Sequence, residues 1–383
     1  MRLRMLLQLA AIGFLLSGCI NHRTSELLTE TTRPAAPAAV AAKHEIFVAT
    51  TRARSKDRLE VFGGARAPLT DFASVNVTVP AIHKVGQIER RRGRVGDASR
   101  YFTASDVSVY SEPAFAKALR EDIRKNDGRA LVFIHGYNTA FDSAIYRATQ
   151  IVHDAGYAGT PVLFSWASGA KTVDYVYDTN SATAARDSLE ATLRMVADAG
   201  ATRVDVIAHS MGNWVTMEAL RQLAISNDKT LGGKLGDVVL ASPDIDIDVF
   251  KTQMARYGKP KKPFLIMLSD DDRALRFSKI LAGDTPRVGD YSNAAEIAKY
   301  GAVVIDLTQL KGDRLNHTKF ADNPGMIKLI GEGLRNEAKT PENERQVTER
   351  VNQLTANFGK TLTSAADIVV TTPINVLRIA VGQ

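Results

Sequence analysis

Apolar positions along this chain change rhythm between the first and second hundred residues. In 45–51 and in 73–80 apolar and polar residues alternate at period two, the pattern of half-buried strands. Glycine- and arginine-containing pieces between these two runs predict hairpin or loop connections. From residue 130 onward, short solid apolar runs alternate with helical patterns. They predict strands over 130–134, 162–166, 204–207, 237–241, 263–268 and 302–307. Helices are predicted over 140–155, 181–199 (stopping at Gly200) and 211–224. A solid apolar run buries both faces of a strand, and strand–helix alternation implies a mostly parallel central sheet with helices on both faces. The expected fold class is therefore α/β, with extra N-terminal strands, in one domain over 44–335. No internal repeat is present.

One turn in this alternation carries chemistry. Between the strand over 204–207 and the helix that follows, Ala208-His209-Ser210-Met211-Gly212 has the small-x-Ser-x-Gly spacing of a nucleophile elbow. Such a sharp turn lifts the serine oxygen above the sheet edge. Small residues two before and two after it let neighbouring backbones pass, although Ala208 stands where glycine is commonest. The helix N-terminus then aims N–H groups at developing negative charge.

A serine nucleophile needs a base, and in this strand–turn–helix arrangement the triad runs serine, acid, histidine along the chain. The seven histidines are His22, His44, His83, His135, His153, His209 and His317, and only His317 follows Ser210. It lies in a polar loop, Leu315-Asn316-His317-Thr318, after the last strand of the alternation. The acid is expected after a late strand, where Ser269-Asp270-Asp271-Asp272 ends the run over 263–268. Successive side chains leave a turn in different directions, so one of the three faces the imidazole. Asp272 is the first choice, counted from Ser269, and Asp271 the next. The remaining aspartates of the turn are expected to be solvated. Asp244 and Asp246, after the preceding strand, are the outside candidates.

The ends of the chain read differently. Arg2 and Arg4 precede an apolar run over 5–16, a positive flank and a length that suit an export signal over 1–18 and fall short of a membrane span. Leu16-Ser17-Gly18-Cys19 resembles the lipobox of bacterial lipoproteins. That resemblance implies cleavage before Cys19, lipidation of its thiol and, with Ile20 next, outer-membrane anchoring. Cys19 is the single cysteine in 383 residues, so an internal disulfide is excluded. Removal of Arg2 and Arg4 lowers the net charge from +7 to +5. The chain stays basic, with four arginines within 90–94, a run expected to be a solvated loop. Contact of that run with an anionic lipid or cell-wall polymer is a weaker alternative, and no nucleic-acid partner is expected. Residues 19–43, rich in Thr, Ala and Pro, read as a flexible tether. Over 336–383, Val347, Val351, Leu354 and Phe358 form an apolar helical stripe. It is followed by an apolar stretch over 365–381 that is interrupted by Pro373. This extension is expected to lie outside the fold and to pack back on the domain.

Several further motifs strengthen one resemblance. Ala49-Thr50-Thr51-Arg52, Phe133-Ile134-His135-Gly136-Tyr137-Asn138, Phe164-Ser165-Trp166, Ala208 to Asn213, Ala241-Ser242-Pro243-Asp244 and Asp272-Arg273-Ala274-Leu275 recur together. On these the region 46–329 resembles a bacterial α/β-hydrolase family of unknown function related to esterases and lipases. Members often carry aromatics directly after the histidine, whereas Thr318-Lys319-Phe320 follows His317 here. The resemblance implies an α/β-hydrolase fold. It also assigns the oxyanion hole to the backbone N–H groups of Tyr137 and Met211, with His135 orienting its loop. The expected activity is hydrolysis of an acyl ester by Ser210, His317 and Asp272 through an acyl-enzyme, without metal or organic cofactor. Acyl transfer or thioester cleavage by the same residues, and an inactive envelope-binding lipoprotein, are the rival readings. The expected partners are an acyl-ester substrate and, through Cys19, a membrane; the expected location is the outer membrane, facing the periplasm.

Overall fold

The structure, a computed structural model, describes residues 26–28, 31–33, 35–91, 95–335, 366–373 and 376–381. In chain order the elements are β1 (Thr31–Arg33), β2 (Val40–Arg54), β3 (Phe62–Pro80), β4 (Val95–Asp97), β5 (Thr103–Tyr110) and α1 (Glu112–Lys125). The alternation then runs β6 (Arg129–Ile134), α2 (Phe141–Asp154), β7 (Thr160–Ser165), α3 (Tyr175–Ala184), α4 (Arg186–Asp198), β8 (Arg203–His209) and α5 (Gly212–Ile225). It continues through β9 (Leu235–Ala241), α6 (Ile247–Tyr257), β10 (Phe264–Leu268), α7 (Arg273–Leu281), α8 (Ala294–Ala298) and β11 (Ala302–Asp306). It closes with α9 (Lys319–Asp322), α10 (Pro324–Arg335), β12 (Ala366–Thr371) and β13 (Val376–Val381).

Among the described residues an 11-stranded sheet has the order β13-β12-β11-β10-β9-β8-β6-β7-β2-β3-β5. From β11 across to β2 every neighbouring pair is parallel. Antiparallel strands close both edges: β3 and β5 on one side, β12 and β13 on the other. The solid apolar runs have the burial they predict. In β6, Ala130, Val132 and Ile134 face one core while Leu131 and Phe133 face the other. Helices α1, α4, α5 and α6 cover the first face through residues such as Phe115, Leu193, Leu220 and Phe250. Helices α2 and α10 cover the second through Ile145, Ile151, Met326 and Ile330.

Five expectations need correction. The single helix over 181–199 is two, α3 and α4, which begin earlier and break at buried Ala185. β5 and α1 are not anticipated, although Phe115, Leu119 and Ile123 at four-residue spacing do carry a helical signal. The described part of the 19–43 tether is docked: Leu27 is buried, Glu26 pairs with Arg91, β1 pairs with β4, and β2 already begins at Val40. The arginine run is likewise engaged where described, with Arg90 paired to buried Asp142 as well as Arg91 to Glu26.

The fifth correction concerns the C-terminal extension. The extension does pack back on the domain, as expected, but as part of the fold: residues 366–371 and 376–381 are antiparallel strands that cover the β11 edge. The stretch is rich in Val and Ile, and Pro373 falls in the connection between the strands, where a missing N–H costs no ladder bond. The stripe over 347–358 lies outside the described residues, as do the export signal over 1–18 and Cys19.

A chain ending at Arg335 would bare the backbone edge of β11 and the surface that Val370 covers. It should melt below the full chain and self-associate, because an open apolar edge is a template for pairing. Differential scanning calorimetry with light scattering checks this. Equal stability and a monodisperse truncated chain would contradict the docking of the hairpin.

Candidate active site

The sheet brings together four loops at the C-terminal ends of the parallel strands β6, β8, β10 and β11, with β9 between β8 and β10. Each supplies one part of the site. After β8 the backbone turns sharply and Ser210 takes φ +53°, a left-handed conformation that L residues adopt only under constraint. The constraint is visible on three sides. Ser210 N–H donates to Ala241 O at 3.0 Å, Asp244 N–H donates to Ser210 O at 3.2 Å, and Asn213 Nδ2 donates to both Ser210 O and Ala241 O at 2.9 Å. The elbow is thus tied to the end of β9.

Two glycines allow the turn to fit. A Cβ on Gly212 would lie 2.4 Å from His135 O and 2.7 Å from Ile134 O, and one on Gly136 would lie 2.8 Å from Ser210 Cβ. Both positions exclude any side chain. The elbow and the turn after β6 therefore stand in direct contact. Among the described residues neither the Tyr137 N–H nor the Met211 N–H donates to a protein acceptor.

The turn after β6 is held from beneath. Asn138 N–H donates to Asp178 Oδ2 at 3.1 Å and Thr139 N–H to Ser168 Oγ at 3.0 Å. Ser168 Oγ donates in turn to Asp178 at 2.6 Å. Arg52 lies fully buried below, donating to Ser165 Oγ, Gly63 O, Ser168 O and Thr139 O. Burial pulls its guanidinium down to about 10, so it stays charged at neutral pH. Burial and that adjacent charge push His135 down to about 3. His135 is neutral, stacked on Trp166 at 5.1 Å, and its Nε2 lies 3.3 Å from the Arg52 guanidinium. Its Nδ1 lies 2.8 Å from Gly136 O, and at neutral pH the ring carries no positive charge.

The three aspartates after β10 diverge. Asp272 is fully buried; its Oδ1 caps α7 by accepting from Leu275 N–H at 3.0 Å, and its Oδ2 accepts from His317 Nδ1 at 2.7 Å. Asp271 turns to Lys319 Nζ at 2.7 Å and Asn316 Nδ2 at 2.8 Å. Asp270 is exposed, and only its backbone engages neighbours, through Thr308 and Arg276. Asp271 is therefore not the solvated residue expected. Buried Lys319 claims it, donating also to Ser269 Oγ, Leu307 O and Thr308 O and so lacing the acid loop to the histidine loop. The outside candidates have other partners: Asp246 caps α6, and Asp244 accepts from Tyr175 and Ser278 in the cavity wall with Arg287 Nε at 3.4 Å.

His317 is held by its own loop. Asp313 accepts from the N–H groups of Leu315, His317 and Thr318, which fixes the turn. His209, one residue before the serine, lies beneath it with Nε2 donating to His317 O at 3.1 Å and ring centroids 4.7 Å apart. Burial and the neighbouring His317 hold His209 neutral. Phe320, third after the histidine, packs on His209 at 4.9 Å and supplies an aromatic there despite the departure at Thr318-Lys319. Burial alone would lower the affinity of His317 for a proton. The Asp272 carboxylate, with Asp244 and Asp313 farther off, outweighs it and raises the pKa above the ordinary 6.5.

Ser210 and His317 face one cavity of about 140 Å³, walled also by Tyr137, Tyr175, Leu275 and Ser278. No hydrogen bond joins Ser210 Oγ to His317 among the described residues; such contacts commonly tighten only with substrate in place. The sequence reading missed Lys319, Asp313, Asp178 and His209 as parts of the site. Arg52 was visible only as a motif letter.

A strand–elbow–helix serine over a mostly parallel sheet, with histidine and acid on later loops, is the architecture of an α/β hydrolase. The chain belongs to the family described as alpha/beta hydrolase of unknown function (DUF900), whose profile spans residues 111–333. No curated protein matches it. Among solved structures, an esterase of Pyrobaculum calidifontis overlaps 77% of this chain and 86% of its own, at 10% identity and a TM-score of 0.34. Phospholipase PlaB from Legionella pneumophila overlaps 66% of this chain and 68% of its own, at 11% identity and a TM-score of 0.31. At such scores neither likeness carries an argument about what this chain does.

Asp272→Asn should cut turnover by up to about 10⁴-fold, because an amide favours the wrong tautomer and gives no support to imidazolium. Asp270→Asn should lie within about 0.5 kcal/mol of neutral in stability and leave turnover unchanged. Lys319→Ala strips four acceptors of a charged donor and should lower stability by about 2 kcal/mol or more in urea unfolding. Equal kinetic losses at Asp270 and Asp272 would overturn the assignment of the acid.

Proposed function

We propose that this chain is a serine hydrolase of carboxylic esters. The observation that carries the reading is the left-handed Ser210 turn facing the same cavity as the Asp272-bound His317. In the proposed sequence Ser210 Oγ attacks the acyl carbon while His317 Nε2 takes its proton. The Tyr137 and Met211 N–H groups receive the oxyanion, and Asp272 keeps Nδ1–H in place and steadies the imidazolium. His317 then gives the proton to the departing alkoxide. Water repeats the cycle on the acyl-enzyme and releases acid.

Cavity size supports a short acyl group. About 140 Å³ is the size of an engineered apolar cavity that takes one benzene. A long chain would have to lie outside it. Acyl transfer or thioester cleavage would use the same residues with a different acceptor or leaving group. We further propose that the domain is anchored by lipidated Cys19 in the outer membrane and faces the periplasm, a reading that the lipobox-like ending of the leader supports.

Ser210→Ala and His317→Ala should each lower ester hydrolysis by about 10³-fold or more at unchanged melting temperature. Activity within tenfold of the parent in both would refute the reading. Across 4-nitrophenyl esters of graded length, kcat/KM should be highest for acetate to butyrate and fall steeply beyond; a maximum at long chains would refute the short-acyl assignment. His317 must be neutral to act as base, and its pKa is raised. The acid limb of kcat/KM should therefore lie above pH 6.5, and it should move down in Asp272→Asn, where the largest raising partner is lost. Cys19→Ala should leave the chain unprocessed and out of the outer-membrane fraction; normal processing would refute the anchor.

A further inference from the structure

Three of the seven histidines meet far from Ser210. His44 sits near the start of β2, His83 in the turn after β3, and His153 in the last turn of α2 beside Asp154. Helix α2 begins just after the Tyr137 turn and runs 14 residues, so its far end lies about 20 Å away at 1.5 Å per residue. The catalytic reading uses none of these groups.

Their arrangement has two layers. In the inner layer, donor atoms of His83, His153 and Asp154 all lie within 4.8 Å of one another. The side chain of Asp154 is fully buried and that of His83 is 4% exposed. In the outer layer, each inner group is held by its second polar atom. Glu89 Oε2 lies 2.8 Å from His83 Nδ1, and Glu89 is itself fixed by the Lys84 N–H. Asp154 Oδ2 accepts from the Gly86 N–H at 2.8 Å and Gln150 Nε2 at 2.7 Å, which leaves Oδ1 toward His83 Nε2. His44 Nε2 lies 3.2 Å from His153 Nδ1. Phe102 walls the cluster against the His83 ring at 5.2 Å.

We propose that His83, His153 and Asp154 form a binding site for a zinc-class divalent cation, a site that ties the N-terminal strands to helix α2. Two imidazoles and a carboxylate with an open fourth position are a three-ligand zinc set, and nitrogen donors disfavour magnesium and calcium. A carboxylate on the outer nitrogen of a ligating histidine, as Glu89 is on His83, is the support such ligands ordinarily have. The 2.7 Å contact between His83 Nε2 and Asp154 Oδ1 holds one hydrogen between the two atoms. Binding replaces it with bonds from the metal to that nitrogen and oxygen and releases the proton to solvent. Nothing in this site depends on the esterase reading.

The test is calorimetric titration of the chelator-treated full chain with zinc chloride, paired with thermal melting. One ion should bind per chain with release of about one proton at pH 7, affinity should fall as pH drops, and the melting temperature should rise with zinc. His83→Gln and His153→Gln should each weaken binding tenfold or more, and Glu89→Gln by about tenfold. Millimolar magnesium should not compete. Zinc affinity unchanged in His83→Gln and His153→Gln would place the ion elsewhere and overturn the proposal. So would the absence of zinc binding, which would leave His83 as the centre of an internal ion pair only. Should a variant fail to fold, cobalt decides on the parent chain: the intense visible bands of a four-coordinate ion support the site, and their absence overturns it.

Discussion

The approach of two turns to van der Waals contact governs this site. Gly212 packs on the carbonyls of Ile134 and His135, and Gly136 packs on Ser210 Cβ, so the Ser210 turn and the turn after β6 form one body. A methyl group at either glycine would separate them. Ser210 holds a left-handed φ of +53° because Ala241 and Asp244 at the end of β9 and Asn213 in α5 bind its backbone. Strain of this kind persists only where the surroundings over-determine it. Here they do, with parallel strands β6 and β8 directly paired beneath the two turns.

The electrostatics follow from the same geometry. Two imidazoles are held neutral, and one carboxylate is held away, around a third imidazole whose pKa is raised. His135 is neutral against the Arg52 cation, and His209 is neutral beneath His317. Lys319 holds Asp271 away from the ring, leaving Asp272 alone on Nδ1. His317 is thereby the histidine of the site whose pKa is raised. A histidine with its carboxylate on one nitrogen and the cavity on the other is placed to move protons between a serine and a leaving group.

The fold was legible where local pattern and burial agree. Solid apolar runs located the strands from β6 to β11 within a few residues, and small-x-Ser-x-Gly located the elbow. Chain order singled out His317, and register singled out Asp272 as first choice among three. What stayed hidden depends on pairing across long separations. Lys319 reads as an ordinary surface lysine until the fold sets it 2.9 Å from Ser269 and against two carbonyls. Arg52 reads as one more arginine among 49 basic residues until it is found buried and donating to Thr139 O in the turn after β6. The terminal hairpin was mistaken for an appendage because its Val- and Ile-rich run suits a buried strand and a surface contact alike. His83 and His153 stand 70 residues apart, with no spacing that a metal motif would reveal.

The central claim is that Ser210 is a nucleophile activated by His317. It is tested most directly by treating the folded chain with a fluorophosphonate and mapping the adduct by peptide mass spectrometry. The account predicts one stoichiometric adduct, on the peptide containing Ser210, forming at least 10²-fold more slowly in His317→Ala. An adduct on any other residue, or labelling of Ser210 that is indifferent to the loss of His317, would contradict it.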